Sequence, residues 1–321
     1  MNKKQAIVAI GDIHGHQYEH VSLLRQIRQQ YDIIQLIYLG DLIDRGPHSD
    51  WVLRDVRDKI TKGYNITMLR GNHENELIKW FNTRDKSFLN NCLKNGGKET
   101  MKSLTGKKYD TEGLLKALEE YMLIFNAMKY YHVQIIAGKT FVFSHSGGDR
   151  DTIYKILDDE KLTEGDLEAL MYSRQRYMHR GIKDCDNVFC VYGHTPVHYA
   201  SENDGMEPLV MWNDSHTSAD IDIDTGCYTG KALSALVIDA ETGEFETVSF
   251  PYTKPPVNKD SGSDEYEKYF DWHFNECMKE AGEEFKTKKK QRESAQQSFV
   301  RRLLEDAEEG EGERGKRKDE K

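Results

Sequence analysis

Short apolar runs that each stop at glycine and a knot of polar residues constrain this chain more than any other feature. Ala6-Ile7-Val8-Ala9-Ile10 ends at Gly11, and Ile33, Ile34, Leu36, Ile37, Tyr38 and Leu39 end at Gly40. Ile66-Thr67-Met68-Leu69 ends at Arg70-Gly71. Runs of this length suit strands, and where apolar residues are continuous rather than alternating both faces are buried. Helical patterns follow the first two: Val21, Leu24 and Ile27 after one, and Trp51, Val52, Val56 and Ile60, starting at Ser49, after the other. Strand, loop and helix in repetition predict an α/β fold on a parallel sheet. In such folds chemistry collects in the loops at the carboxyl ends of strands.

Those loops carry the residue types that chemistry needs. In Gly11-Asp12-Ile13-His14-Gly15, an Asp and a His two apart in extended backbone point the same way and can reach one cation. A turn capped by Asp12 accounts for the same residues without a metal. Gly40-Asp41-Leu42-Ile43-Asp44-Arg45-Gly46 packs two carboxylates and a guanidinium into one loop. Arg70-Gly71-Asn72-His73-Glu74 offers a neutral oxygen ligand in Asn72, a titrating imidazole in His73 and a fixed cation suited to phosphate in Arg70. Asn72 as a simple helix cap leaves the other two without a purpose. Phe141-Val142-Phe143 leads to His145, and Val188-Phe189-Cys190-Val191-Tyr192 leads to Gly193-His194. Between them, Met171-Tyr172-Ser173-Arg174-Gln175-Arg176-Tyr177 sets two arginines among aromatics, either as an anion clamp or as a solvated helix face. Asp12, His14, Asp41, Asn72, His145 and His194 together form a sulfur-free O/N donor set, appropriate to two divalent cations sharing a carboxylate.

The rest of the chain frames these loops. From Asn75 to about Tyr131 it reads as mostly helical, broken at Asn95-Gly96-Gly97, with loops able to wall a substrate cleft. Thr163 with Asp166 has the capping-box pattern of a helix start. Leu209–Trp212 and Ile221–Asp224 read as strands, and Leu233–Asp239 with Glu244–Phe250 as a hairpin. Asp224 either steadies a turn or supports a ligand from behind. Thr253-Lys254-Pro255-Pro256 divides the chain into a catalytic domain, 1–254, and a charged tail, 255–321. A helix after Ser263, with Tyr266, Phe270, Phe274 and Met278 on one stripe, is expected to dock on its own domain or on a partner. Lys286 to Arg292 is densely basic, and the end from Glu305 is expected to be disordered.

Composition narrows the function. A formal charge of -10 argues against general nucleic-acid binding. Five cysteines without a Cys-x-x-Cys pair suggest free thiols in a reducing compartment rather than a disulfide framework or thiolate zinc site. The polar start leaves no room for a signal peptide and no run reaches membrane-spanning length, so the expectation is a cytoplasmic protein without membrane contact.

Gly11–Gly15, Gly40–Gly46 and Gly71–Glu74 resemble the three signature blocks of the phosphoprotein phosphatase branch of the calcineurin-like metallophosphoesterases, and Ser144-His145-Ser146-Gly147 and Gly193-His194-Thr195 extend the match. Within it the chain is most similar to compact bacterial and phage members, such as lambda-type protein phosphatases and symmetrical diadenosine tetraphosphate hydrolases. Asn95-Gly96-Gly97, Tyr172–Tyr177 and Asp224-Thr225-Gly226 look like further blocks, with Tyr172 standing where Trp is common. The resemblance covers Ala6 to Phe250 and implies a four-layer αββα sandwich. It implies that Asp12, His14 and Asp41 hold one metal, and that Asp41, Asn72, His145 and His194 hold the other. Manganese is the expected ion, with iron or zinc compatible. It further implies in-line attack on phosphorus by a metal-bridging hydroxide, phosphate grip by Arg45, Arg70 and Arg174, and His73 as general acid oriented by Asp44.

Two substrate classes remain open from the sequence. One is phosphomonoesters of serine, threonine or tyrosine in proteins; the other is dinucleoside polyphosphates or other nucleotides. The loops near Asn82–Tyr109 and Gly147–Asp186 are where that choice would reside. An inactive scaffold recruiting partners through the helix after Ser263 is the third reading, and retention of every expected ligand and of His73 argues against it.

Overall fold

The computed structural model describes residues 3–174, 185–199 and 204–253. By its internal packing the chain divides into one unit of residues 1–56 and 65–253 and another of 57–64 with 254–321. Of the second, only 57–64 are described, the last turns of the helix Ser49–Thr61 and the loop after it. The expected tail helix, its apolar stripe and Gln175, Arg176 and Tyr177 lie outside the described residues.

The larger unit holds two five-stranded mixed sheets. The first begins with β1 (Lys4–Ile10), β2 (Tyr31–Tyr38) and β3 (Ile66–Met68), all parallel. The hairpin β9 (Ala232–Asp239) and β10 (Phe245–Pro251) extends it antiparallel from β1, in the order β10-β9-β1-β2-β3. The second sheet runs β4-β5-β6-β8-β7, from β4 (Tyr131–Ile136), β5 (Lys139–Ser144), β6 (Val188–Tyr192), β7 (Leu209–Trp212) and β8 (Ala219–Asp222). Here β5, β6 and β8 are parallel, with antiparallel β4 and β7 at the edges.

The pleat explains how the sheets meet. Ile7 and Ala9 of β1, Ile37 of β2, and Leu236 and Ile238 of β9 share one buried cluster with Phe141, Phe143, Phe189, Val191 and Ile221 of the second sheet. The alternate side chains face outward onto helices. Val142, Val188 and Cys190 pack on α8 (Arg150–Leu157) and α9 (Glu164–Tyr172) through Ile153, Ile156 and Leu170. On the other side α1 (Gln17–Gln30) buries Leu23, Leu24 and Ile27, and α2 (Ser49–Thr61) buries Val52, Leu53 and Val56. The result is the four-layer αββα sandwich, rather than the single parallel sheet that strand-loop-helix periodicity alone predicts.

Between the sheets in sequence lie α3 (Asn72–Thr83), α4 (Lys86–Lys94), α5 (Gly97–Thr105), α6 (Thr111–Glu119) and α7 (Met122–Asn126), the expected helical stretch. The sequence expectation missed β4, whose apolar residues alternate with polar ones on an edge strand. α3 begins at Asn72 itself, so Asn72 does not cap it; the preceding residue is Gly71, whose N–H meets the Glu74 carboxylate at 3.2 Å. Thr163 caps α9 as expected, and the reciprocal bond from its N–H to Asp166 Oδ2 is 2.7 Å. No helix among the described residues is long and apolar enough to cross a membrane.

Candidate metal centre

Parallel strands end together, so β1, β2 and β3 deliver Asp12, His14, Asp41, Asn72 and His73 to one edge of their sheet. β5 and β6 bring His145 and His194 to the corresponding edge of the other sheet. Hydrogen bonds lock the two edges together. The His145 Nδ1–H donates to the Leu39 carbonyl at 3.0 Å, and the backbone N–H of His194 donates to both Asp12 carboxylate oxygens at 3.2 and 3.1 Å. At Gly193 a Cβ would fall on Asp12 Oδ1, so only glycine allows this approach.

Asp41 stands at the centre. Its Oδ1 accepts the His73 backbone N–H at 3.1 Å and lies 3.4 Å from His145 Nε2. Its Oδ2 lies 3.5 Å from His14 Nε2 and 3.7 Å from His73 Nε2, yet is buried without a hydrogen-bond partner among the described residues. Two groups thus share one carboxylate: His14, Asp41 and His73, and Asp41, His145 and His194, all buried and each with donor atoms within 4.8 Å. Asn72 joins the second through Oδ1, 3.1 Å from His145 Nε2. Asp12 is turned toward the His194 backbone and is not part of the group around His14.

The donor chemistry fits cations. The His14 Nδ1–H donates to the Ile43 carbonyl at 2.7 Å, which fixes the tautomer and leaves the Nε2 lone pair facing the site. The Arg45 guanidinium, a cation, sits on that lone pair at 2.7 Å. Burial, with the Asp224 carboxylate close by, pushes the Asp12 carboxyl well above its ordinary range. Burial also opposes ionisation of Asp41, but His145 and His73 outweigh it and hold that carboxyl well down. Burial and then His145 push His194 down to about 3, keeping its imidazole neutral and able to ligate. Burial tends to lower the His145 pKa, but Asp41 and Asp12 outweigh it and raise it to about 9, so His145 gives up its Nε2 proton when a cation takes its place. The orphaned Asp41 oxygen and the neutral imidazoles of His14 and His194 fit a pair of divalent ions.

A second network lies beside the first. The His73 Nδ1–H donates to Asp44 Oδ2 at 2.7 Å, and Arg45 Nη2 donates to His73 Nε2 at 3.0 Å. The other oxygen of Asp44 accepts from Thr100 Oγ1 at 2.6 Å, so α5 holds the carboxylate for His73. Burial tends to lower the His73 pKa, but Asp41 and Asp44 outweigh it and raise it. Arg45 donates its N–H to Gly96 at 3.2 Å and stacks its guanidinium 4.0 Å over the Tyr228 ring. Gly96, at φ 105°, is needed there because a Cβ would lie 2.6 Å from the Arg45 nitrogen.

The remaining predicted residues differ in how near they come. Arg174 donates to Thr195 Oγ1 at 2.9 Å, next to His194. Arg70 is engaged elsewhere, by the Phe125 carbonyl and the Tyr130 hydroxyl, each at 3.3 Å. Asp224 steadies its own turn by accepting the Gly226 N–H at 2.9 Å, and burial raises its carboxyl to about 6. Sequence reasoning assigned no role to Glu74, Thr100 or Tyr228. Glu74 is fully buried and gathers the N–H groups of Asp41, Leu42, Ile43 and Gly71 at 2.8–3.3 Å, which sets the whole Gly40–Gly46 loop. Burial first, and then Asp41, raises its carboxyl to about 7.

Two groups of oxygen and nitrogen donors sharing a carboxylate, at the joined edges of a two-sheet sandwich, define a two-cation site of the hydrolytic kind. The profile of the calcineurin-like phosphoesterases matches residues 6–221, and the chain belongs to that family. Among relatives, the asymmetrical bis(5'-nucleosyl)-tetraphosphatase PrpE of Bacillus thuringiensis (strain Al Hakam) is 28% identical over 262 residues, covering 77% of this chain and 95% of its own. PrpE of Bacillus subtilis (strain 168) is also 28% identical, over 263 residues, covering 77% and 94%. A solved protein serine/threonine phosphatase from Saccharomyces cerevisiae aligns over 80% of this chain and 82% of its own, at 15% identity and a TM-score of 0.48.

Proposed function

We propose that this phosphoesterase is a metal-dependent hydrolase of dinucleoside polyphosphates. The observation that carries the hydrolytic reading is the line Asp44, His73, Arg45, joined at 2.7 and 3.0 Å beside the unpartnered oxygen of Asp41. The substrate class is supported by the PrpE relatives, whose whole length this chain nearly spans.

His145, His194, Asn72 and Asp41 would hold one divalent ion, and Asp41 with His14 the other, which Asp12 would join by turning a carboxylate oxygen away from the His194 N–H; manganese, iron and zinc all suit these donors. When bound, such a pair supplies Lewis-acid polarisation of phosphoryl oxygens and a water activated near neutral pH. The residues of the chain do the rest. Arg45 grips non-bridging phosphoryl oxygens, with Arg174 entering from the Thr195 side; Arg70 would join them only by releasing the Phe125 carbonyl and the Tyr130 hydroxyl. A phosphoryl group that takes the Arg45 guanidinium frees His73 Nε2. The freed Nε2 takes up a proton from solvent, which Asp41 and Asp44 favour over the opposing effect of burial, and His73, held by Asp44, passes that proton to the leaving oxygen.

The second reading is a phosphomonoesterase acting on phosphoserine or phosphothreonine in proteins, favoured by the three signature blocks that end in Asp12/His14, Asp44/Arg45 and Asn72/His73. Turnover of diadenosine tetraphosphate and of a phosphothreonine peptide, compared on one manganese-loaded preparation, separates them. Higher kcat/KM for the dinucleotide supports the first reading; preference for the peptide replaces it with the second.

A further inference from the structure

Away from the shared carboxylate, three buried side chains from separate stretches of the chain converge. His16 immediately precedes α1, Glu19 lies in its first turn, and Cys227 opens the short 3-10 turn Cys227–Thr229. One donor atom from each lies within 4.8 Å of the other two, with His16 Nδ1 3.8 Å from Glu19 Oε2.

We propose that His16, Glu19 and Cys227 form a further metal site, for a zinc-type divalent cation, separate from the pair that shares Asp41. An imidazole, a carboxylate and a thiolate are a mixed set that a borderline cation accepts, whereas the centre around Asp41 contains no sulfur. Bonds of about 2.0–2.3 Å around a tetrahedral ion put its ligand atoms roughly 3.3–3.8 Å apart. The His16–Glu19 pair lies at the long end of that range, and Cys227, within 4.8 Å of both, enters it by closing about 1 Å at most. The carboxylate is prepared for ligation from behind: Glu19 Oε1 accepts the Thr253 N–H at 3.0 Å, which leaves Oε2 facing His16. The Tyr252 ring stands edge-on to His16 at 5.5 Å and walls the cluster on the β10 side. A solvent molecule completes four-coordination, and the Cys227 thiol proton leaves to solvent on binding.

Such an ion ties the start of α1 to the Cys227–Thr229 turn. The next residue in that turn, Tyr228, lies against Arg45 at 4.0 Å and against the His14 ring at 5.1 Å. The ion therefore holds in place the aromatic face on which the Arg45 guanidinium rests.

Cobalt titration of the full chain, purified under reducing conditions and stripped of metal, tests this by absorption spectroscopy. A sulfur-to-cobalt charge-transfer band is expected, because only a thiolate site produces one. It should vanish in Cys227→Ser and persist in Cys190→Ser. In Glu19→Gln, which keeps the thiol, it should need at least the ~10-fold more cobalt that loss of one supporting contact to a ligand costs. Absence of the band in the wild type, its survival in Cys227→Ser, or its indifference to Glu19→Gln would overturn the site. The band does not depend on turnover, so the outcome stands apart from the substrate reading above.

Discussion

At the scale of single residues, three neighbours in one loop divide the work. Asp41 touches both cation groups, Asp44 holds His73, and Arg45 spans His14 and His73. Asp41, Asp44 and Arg45 all hold positive φ, at 50°, 71° and 69°, as do His14 at 47° and His194 at 75°. Left-handed backbone costs a non-glycine residue on the order of 1–3 kcal/mol, and its concentration here marks a loop shaped for its site. Arg45→Ala should leave metal content unchanged and raise KM for phosphate esters, while Asp41→Asn should lower metal stoichiometry measured by plasma mass spectrometry. Loss of metal in Arg45→Ala would undo that division. Glu74→Gln should lower stability by about 1–3 kcal/mol in urea unfolding, because an amide cannot accept all four backbone N–H groups that the carboxylate gathers. The roles of Asp41 and His73 were approachable from sequence because their residue types stand beside glycine at strand ends. Those of Glu74 and Thr100 were not, since their partners lie 32 and 56 positions away and no local pattern records them.

Among the elements, α9 links the second sheet to the cleft. Ser146, just past β5, donates through its hydroxyl to the Ala169 carbonyl of α9 at 2.7 Å, and the chain leaving that helix carries Arg174. The start of α9 is fixed by Thr163 and by Asp166, whose carboxylate also accepts from Lys155 of α8 at 2.8 Å. The Lys155 ammonium and the Thr163 backbone N–H hold the Asp166 carboxyl below its ordinary 3.8. A carboxyl lowered on folding contributes stability above its unfolded pKa and loses that contribution as pH falls through the folded one. Below about pH 4, Asp166→Asn should therefore flatten the acid-side decline of stability, and Thr163→Ala should cost about 1 kcal/mol at neutral pH. Thermal melts across pH 2–7 would measure both, and an acid limb unchanged in Asp166→Asn would contradict the assignment. The capping box was visible in the sequence because its two members are three residues apart. β4 was not: Ile135 is 71% exposed and Val133 points partly to solvent, so this edge strand lacks the buried run that marked the others.

For the molecule as a whole, the site exists because two parallel triplets, β1-β2-β3 and β5-β6-β8, end at a common edge. Local periodicity identifies each strand but carries nothing about which sheet it joins, and a single sheet satisfies the same pattern. The partition shows only in the packing, where Phe141, Phe143 and Phe189 fill the space between sheets. Phe143→Ala should cost about 3–5 kcal/mol of stability, since the cavity lies in a fully buried layer. A proton donor distinct from the metal ligands is central to the proposed chemistry, and kinetics of His73→Asn with metal content measured on the same samples test it directly. The prediction is a kcat about 10²–10⁴-fold lower with metal stoichiometry retained. Equal losses of metal and activity, or turnover at the wild-type rate, would contradict it.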